Sequence, residues 1–132
     1  MARLHIALAF AGALLAVCAE MVSASFAAPA VLDVDSPMRD EAAFQDTMRC
    51  IFGSDDYQVC GSNTVTIKYT MWRLLEKGCN SCTDDELKVF RFMAYLSNNR
   101  PNEWQKVLNQ YDPQGEFRRR NGAQWKQYGV AV

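Results

Sequence analysis

Histidine is almost absent from this sequence, and its absence removes whole classes of chemistry. The 132 residues contain one histidine, His5, in an N-terminal segment that we expect to be cleaved off. A Ser–His–Asp or Cys–His catalytic group requires an imidazole, and many zinc sites use a histidine ligand. The sequence therefore predicts a protein that is not an enzyme and has no catalytic residues, no metal site and no cofactor.

A large excess of charge is also missing. The chain has 14 Lys and Arg residues against 15 Asp and Glu residues, a formal net charge of −1. A strongly basic nucleic-acid-binding protein does not fit this balance, so we expect no nucleic-acid partner. The chain is 49% hydrophobic and 22% charged, which is typical of a folded globular domain.

Only one long apolar run is present, and it lies at the N-terminus. Arg3 precedes the uncharged run over residues 6–17, which is too short to span a bilayer but fits a signal-peptide core. Cleavage could follow any of three small residues, Ala24, Ala27 and Ala30. We therefore predict a signal peptide over residues 1–27, a helical domain over residues 28–132, and a secreted, extracellular protein.

Two alternatives stay open for the N-terminal segment. It could remain as a membrane anchor, or the chain could be a bacterial lipoprotein acylated at Cys18. Val17 is a poor match for the lipoprotein alternative, because the residue before an acylated cysteine is normally small.

Four cysteines remain after the leader, namely Cys50, Cys60, Cys79 and Cys82. In a small exported chain this number indicates two disulfides, for which three connectivities can be drawn. Cys79 and Cys82 could instead form a redox pair, although a thioredoxin-like motif needs a βαβ setting that this chain lacks. A four-cysteine zinc site is a weaker alternative, because only one pair has the spacing of metal ligands.

Apolar residues recur at helical spacing through the chain after the leader. Ser36 and Pro37 predict the start of a helix that Gly53 ends. Thr83 and Glu86 form a capping-box sequence ahead of a strongly apolar helix, and Pro101 opens the next one. The apolar residues of these three segments are Phe44, Met48, Ile51 and Phe52; Leu87, Val89, Phe90, Phe92, Met93, Ala94, Tyr95 and Leu96; and Trp104, Val107, Leu108 and Tyr111.

Residues 61–78 fit two structures. Apolar and polar residues alternate from Thr64 to Met71, which favours a strand, yet Ile67, Met71, Leu74 and Leu75 also share one helical face. A single strand without a partner cannot form a sheet, so we predict a helix that Asn63 or Thr64 caps. The residues alone thus predict a small all-α bundle with two disulfides.

The C-terminal segment is basic and aromatic. Its residues could form a solvated helix or a surface for a membrane, an anionic headgroup or a receptor. The residues concerned are Arg118, Arg119, Arg120, Trp125, Lys126 and Tyr128.

The cysteine order and two later segments resemble the insect chemosensory-protein family. The cysteines are separated by 9, 18 and 2 residues, and the segments YLSNNRPNEW and QYDPQGEFRRR follow. The resemblance covers about residues 33–132 and implies a compact bundle of about six short helices around a hydrophobic channel. It also implies disulfides between neighbouring cysteines and a secreted, monomeric carrier of fatty-acid-derived or semiochemical-like molecules. A membrane receptor would be a further partner.

The candidate ligand-binding residues are apolar positions on the predicted helices, part of which would face the channel. Methionine suits this role because its side chain adapts to guests of different shape. The candidates are Phe44, Met48, Ile51, Ile67, Met71, Leu75, Phe90, Met93, Ala94, Trp104 and Leu108.

The sequence also departs from the family pattern. Thr47 and Asn121 stand where the family commonly has tyrosines that line or gate the channel, and Trp72 adds bulk to another segment. These departures support an alternative, a secreted interaction or signalling protein with a filled core and no small ligand. A third hypothesis is a dithiol oxidoreductase that uses Cys79 and Cys82.

Overall fold

The computed structural model describes residues 31–53 and 57–132, so the predicted signal peptide lies outside the described part. Within that part the chain forms six helices and no strand. The helices are α1 (Asp35–Arg39), α2 (Glu41–Phe52), α3 (Tyr57–Lys77), α4 (Asp84–Asn99), α5 (Pro101–Tyr111) and α6 (Glu116–Gln127). The all-α prediction is confirmed, and so is the choice of a helix over a strand between Thr64 and Met71.

The helix predicted from Ser36 to Phe52 is two helices, because two aspartates compete with Ser36 for the capping role. The Asp33 carboxylate accepts hydrogen bonds from the backbone N–H groups of Asp35 and Ser36, both at 3.0 Å. Asp40 then leaves the helical conformation, and its carboxylate accepts from the Ala43 N–H at 3.0 Å, which starts α2. Hydrogen bonds from Ser36 also lower the pKa of Asp33.

The start of α3 also differs from the prediction. The helix begins before Asn63 and contains a kink at Gly61, whose φ of 73° is outside the helical range. Asn63 does not cap the helix. Its side chain pairs with the backbone of Asp33, accepting from N at 2.8 Å and donating to O at 2.9 Å. This pair fastens the N-terminal segment to α3.

The α4 helix begins as its sequence predicts. The Thr83 hydroxyl accepts from the Glu86 N–H, and the Glu86 carboxylate accepts from the Thr83 N–H, which completes a capping box. The hydrogen bond from the Thr83 backbone lowers the pKa of Glu86. The acidic cluster of Asp84, Asp85 and Glu86 therefore occupies the positive end of a helix.

Two disulfides join neighbouring cysteines, as the family resemblance implied. The Cys50–Cys60 bond links the end of α2 to the start of α3, with a Cα–Cα distance of 5.6 Å. The Cys79–Cys82 bond closes the turn between α3 and α4, with a Cα–Cα distance of 5.2 Å. Both bonds hold junctions between consecutive helices.

The end of α3 is held by side chains of α6. The last carbonyl groups of a helix have no partner within it. In α3 the carbonyls of Leu75 and Glu76 accept hydrogen bonds from Asn121 Nδ2 at 2.9 and 2.8 Å. The Leu74 carbonyl accepts from the Gly78 N–H at 2.9 Å and also from Trp125 Nε1 at 3.2 Å. We call this set of contacts the α6 clasp.

The clasp continues into the turn after α3. Gln124 Oε1 accepts from the Cys79 N–H at 2.9 Å, and Gln124 Nε2 donates to the Cys79 carbonyl at 2.6 Å. This approach needs Gly78, which has a φ of 64° and whose absent Cβ would collide with Gln124 Oε1. Gln124 of α6 therefore contacts Gly78 at the end of α3 and the turn that the Cys79–Cys82 disulfide closes.

We predict that Gly78→Ala lowers the free energy of unfolding through two separate effects. The left-handed backbone costs about 1–2 kcal/mol for a residue with a Cβ. The collision with Gln124 adds about 1–2 kcal/mol through weakened hydrogen bonds. Chemical denaturation of Gly78→Ala, Gln124→Ala and the double variant separates the two effects in a double-mutant cycle.

In the Gln124→Ala background the substitution should cost only the backbone part. Equal costs of Gly78→Ala in both backgrounds would contradict the role assigned to Gln124.

Candidate ligand-binding site

The structure gathers the predicted binding residues around one core. Ten of them are buried members of a single hydrophobic cluster, and Ala94 is half-buried and packs against it. They come from four helices: Phe44, Met48 and Ile51 from α2; Ile67, Met71 and Leu75 from α3; Phe90, Met93 and Ala94 from α4; and Trp104 and Leu108 from α5. The predicted site is thus the interior of the bundle, and ligand binding there stays a prediction.

Several core residues were not among the candidates. The α6 residue Trp125 is 1% exposed, although its neighbours in the sequence are mostly polar and charged. Its ring lies at right angles to that of Trp104, with centroids 6.5 Å apart. The signal that could have identified it is the spacing of Phe117, Asn121 and Trp125 at i, i+4 and i+8, which places them on one helical face. Asn121 and Trp125 both contact the end of α3. Leu74, Val89, Phe92, Leu96 and Val107 were predicted on apolar helix faces but not as ligand-binding candidates, whereas Leu32, Val34 and Val130 were not predicted at all.

The two aromatic residues assigned to a basic C-terminal surface belong to the interior instead. Trp125 forms part of the α6 clasp, as described above. Tyr128 stacks on Phe90 with centroids 4.5 Å apart, and its hydroxyl oxygen lies 3.5 Å from Cys82 Sγ. The inclusion of Trp125 and Tyr128 in that surface was therefore wrong, because α6 turns these rings toward the core.

Trp104 and Trp72 have opposite environments. Trp104, for which core and ligand contact were both open, is 6% exposed within the cluster. Trp72 is 43% exposed, so its bulk does not fill the core.

Polar atoms at the core already have partners. Among the described residues, every buried side-chain nitrogen or oxygen has a hydrogen bond. The Thr47 hydroxyl donates to the Ala43 carbonyl at 2.8 Å, and Lys68 Nζ donates to the Gly53 carbonyl at 3.2 Å. A molecule entering the core would therefore meet apolar surface rather than free donors or acceptors.

The Tyr-Asp-Pro segment, which carries much of the family resemblance, has a structural role. Asp112 is buried, and its two carboxylate oxygens accept from the N–H groups of Phe117 and Arg118, both at 3.0 Å. The Tyr111 hydroxyl donates to the Ile51 carbonyl on α2. The segment thus starts α6 and ties the end of α5 to α2.

Two surface clefts lie beside α2. One, of about 340 Å³, is lined by Met48, Phe52, Glu103 and Lys106 together with their neighbours. The other, of about 400 Å³, includes Thr47 and the Cys50–Cys60 disulfide in its lining. Met48 belongs to both the core and the first cleft, so it lies where the apolar interior approaches the surface.

Arg100 covers the edge of the core at Phe44. Its guanidinium carbon lies 4.1 Å from the centroid of the Phe44 ring. Arg100 also pairs with the carboxylate of Glu41 and donates to the Tyr95 hydroxyl at 3.4 Å. The hydrogen bond from Arg100 lowers the pKa of Glu41.

The described part of the chain also bears on redox, metal and membrane-spanning roles. Cys79 and Cys82 are bonded to each other in a turn that Gln124 holds. Residues 31–53 and 57–132 contain no group of three or more His, Cys, Asp or Glu side chains arranged for a metal ion. In the same ranges, every helix is too short or too polar to cross a bilayer.

Comparisons of the sequence with known proteins agree on one family. A sequence model of the insect pheromone-binding family A10/OS-D matches residues 30–119. The A10 protein of Drosophila melanogaster, which is provisionally named an odorant-binding protein, is 25% identical over 88 residues. These cover 66% of this chain and 55% of that protein, so the chain spans about half of that relative.

A second relative and a solved structure extend the likeness. Ejaculatory bulb-specific protein 3 of Drosophila melanogaster is 22% identical over 102 residues, which cover 76% of this chain and 79% of that protein. The antennal chemosensory protein A6 of the moth Mamestra brassicae superposes with a TM-score of 0.56 at 21% identity. The match covers 74% of this chain and 89% of that one, and it supports the helical fold.

We predict that acid weakens the contact between Glu41 and Arg100. The folded-state pKa of Glu41 is lower than its unfolded value, so its contribution is present near neutral pH and is lost as the pH falls through the folded-state value. The unfolding free energy of the wild type should therefore exceed that of Glu41→Gln near pH 7. The difference should shrink as the pH falls below the ordinary pKa of a glutamate, about 4.3, and should vanish below the lowered folded-state pKa.

Denaturation curves at several pH values check this prediction. Glu116→Gln is the control, because it removes an exposed glutamate whose ion pair with Arg120 is longer, at 4.0 Å. A wild-type advantage over Glu41→Gln that does not change with pH would count against the prediction.

Proposed function

Because the chain belongs to the insect pheromone-binding family A10/OS-D, we propose that it is a secreted, monomeric carrier of small hydrophobic molecules. The guests are fatty-acid-derived or semiochemical-like compounds, and the chain binds them without catalysis. The proposal rests mainly on one observation: the eleven predicted side chains come from four helices and lie in or against one apolar core. Delivery to a membrane receptor is part of the same proposal.

The chemistry of the core favours apolar guests of varied shape. Three of its members are methionines, Met48, Met71 and Met93, each from a different helix. Methionine rearranges at low cost, so the core can adapt around a flexible chain. Since the buried polar atoms of the described residues already have partners, shape and apolar contact determine which guest binds.

The energetics are compatible with useful affinity. Burying sixteen methylene groups gains roughly 13 kcal/mol at about 0.8 kcal/mol each. Loss of translational and rotational freedom, with ordering of side chains, costs about 4–15 kcal/mol. The difference allows micromolar binding, which corresponds to about −8 kcal/mol.

The cleft at Met48 is the proposed entrance. It is an opening of about 340 Å³ between α2 and α5, and one of its lining residues is also part of the core. Movement of the unbranched Met48 and of Phe52 at its rim would connect the cleft to the interior. The residues that line this cleft do not belong to the α6 clasp, so entry here would leave the clasp intact.

An alternative function is a secreted interaction or signalling protein with a filled core. The burial of ten candidate side chains to 6% exposure or less favours this alternative, since they already contact one another. The Asn121 amide, at a family gate position, is also engaged with the end of α3. Binding experiments distinguish the two functions.

We predict that the protein binds N-phenyl-1-naphthylamine and that long-chain fatty acids, alcohols and acetates displace it. The Trp72→Phe variant leaves only the buried Trp104 and Trp125 as reporters, so quenching of its fluorescence locates the guest in the core.

Met93→Ala should tighten the binding of bulky guests because it enlarges the interior, and it should lower the free energy of unfolding by about 2–5 kcal/mol.

Leu87→Ala is the matched control for Met93→Ala, because Leu87 lies on the same helix but is 41% exposed. It should leave affinity unchanged. Absence of probe binding to folded wild type, with no displacement by the whole panel, would reject the carrier function and favour the filled-core alternative.

We further predict that the first 24–30 residues are removed on export. Expression of the full chain in insect cells should place the protein in the medium, because the apolar run fits a signal-peptide core. N-terminal sequencing should begin after Ala24, Ala27 or Ala30. Retention in the membrane fraction with an intact N-terminus would support the anchor alternative.

A further inference from the structure

The outer face of α6 carries three cations without ion-pair partners. Within the described ranges, Arg118, Arg119 and Lys126 form no salt bridge, whereas the neighbouring Arg120 pairs with Glu116 at 4.0 Å. All three residues are exposed. Arg119 makes a hydrogen bond to the Gln114 carbonyl at 3.1 Å, which does not neutralise its charge.

Two of these cations, Arg118 and Lys126, line a shallow cleft between α6 and the C-terminal segment, and Arg119 is next to Arg118 in the sequence. The cleft has a volume of about 530 Å³ and is lined by Arg118, Lys126, the small residues Gly122 and Ala123, and the segment 129–132. Val132 packs over Gly122, where a Cβ would lie 3.2 Å from Val132 Cγ1, yet Val132 is still 61% exposed. Cationic side chains and an exposed apolar side chain therefore share one surface.

The opposite end of the sequence has the opposite charge. The segment of α1 and α2 with its caps carries Asp33, Asp35, Asp40, Glu41 and Asp46 against Arg39 and Arg49. The formal net charge of the chain is −1, so the positive charge of α6 is a local feature and not a general excess. An anionic surface would therefore attract the exposed cations of α6, although the chain as a whole carries a slight negative charge.

We propose that the surface formed by Arg118, Arg119, Ala123, Lys126 and Val132 docks onto an anionic lipid bilayer. Lysine and arginine are attracted to anionic headgroups, and a small apolar side chain can enter the interface beside them. The shallow, open cleft suits a broad surface better than it suits an enclosed small molecule. The proposal goes beyond the carrier function and does not depend on it.

Docking through this surface gives the two faces of α6 different roles. Its outer face meets the lipid headgroups, while its inner face holds the end of α3 through Asn121, Gln124 and Trp125. The substitutions needed to test the outer face therefore leave the clasp residues in place.

Co-sedimentation with vesicles tests the proposal on the full, disulfide-bonded chain. Vesicles of phosphatidylcholine with phosphatidylserine, and with phosphatidylglycerol, should bind the protein, whereas phosphatidylcholine alone should not. Added salt should weaken binding, because charges more than about 10 Å apart are screened at 0.1 M. The R118Q/R119Q/K126Q variant should bind about a hundredfold more weakly, from about fivefold for each cation.

The matched control is R39Q/R49Q/K106Q, which removes three exposed cations from α1, α2 and α5 and leaves the same net charge. It should bind as the wild type does. Ala123→Glu, at an exposed position within the cleft, provides a second variant and should weaken binding without loss of helical circular dichroism.

Three results would overturn the proposal: no preference of the wild type for anionic vesicles, an equal loss in the control variant, or unaltered binding of R118Q/R119Q/K126Q.

Competition with soluble glycerophosphoserine distinguishes docking onto a bilayer surface from binding of a small anion. Weak competition supports the bilayer, whereas binding of the free headgroup as tight as that of vesicles would reject it in favour of a small-anion site.

Discussion

The contact between α6 and the end of α3 is the constraint on which the rest of the bundle depends. An unpaired buried carbonyl costs about 1–3 kcal/mol, and the last turn of α3 has several. Asn121 donates to the carbonyls of Leu75 and Glu76, and Arg120 also donates to that of Glu76. Trp125 adds a second donor to the Leu74 carbonyl, and Gln124 holds the following turn through Cys79. Trp125 also packs against the Trp104 ring, so α6 contributes both to the hydrogen bonds at the end of α3 and to the apolar core.

This arrangement explains how an apolar interior coexists with a hydrogen-bonded boundary. Asp112 starts α6, Arg100 covers Phe44, and the Asp33–Asn63 pair fastens the N-terminal segment, all at the edge of the core. The polar groups satisfy one another there and leave the centre to aliphatic, methionine and aromatic side chains. Such an interior can exchange contacts between its own side chains for contacts with a guest, without breaking a polar network.

The parts of the fold that depend on local sequence could be predicted. The capping box at Thr83 and Glu86 needs only residues three positions apart, and the apolar faces of α2, α4 and α5 follow from helical periodicity. The disulfide pairing came from the family resemblance. The candidate site could be predicted as a set of apolar positions, whereas the way their side chains fill the interior depends on packing that periodicity does not encode.

The errors arose where distant or competing partners decide the structure. Ser36 is a good cap, but Asp33 and Asp40 take that role, and Asp33 is held by Asn63, 30 residues away. Trp125 lies among polar residues in the sequence, and it is buried where its indole N–H contacts the carbonyl of Leu74, 51 residues earlier. Local patterns carry no information about such long-range pairs.

The position of the clasp along the chain has a consequence for biosynthesis. The acceptors lie at Leu74–Glu76, whereas the donors lie at Asn121–Trp125, so the ribosome completes α3, α4 and α5 before any donor exists. Until α6 leaves the exit tunnel, the nascent polypeptide lacks the contacts that cover the end of α3, which is the longest of the described helices. Translocation across a membrane during translation would therefore transport an unfinished bundle, and the tertiary structure would close only on the far side.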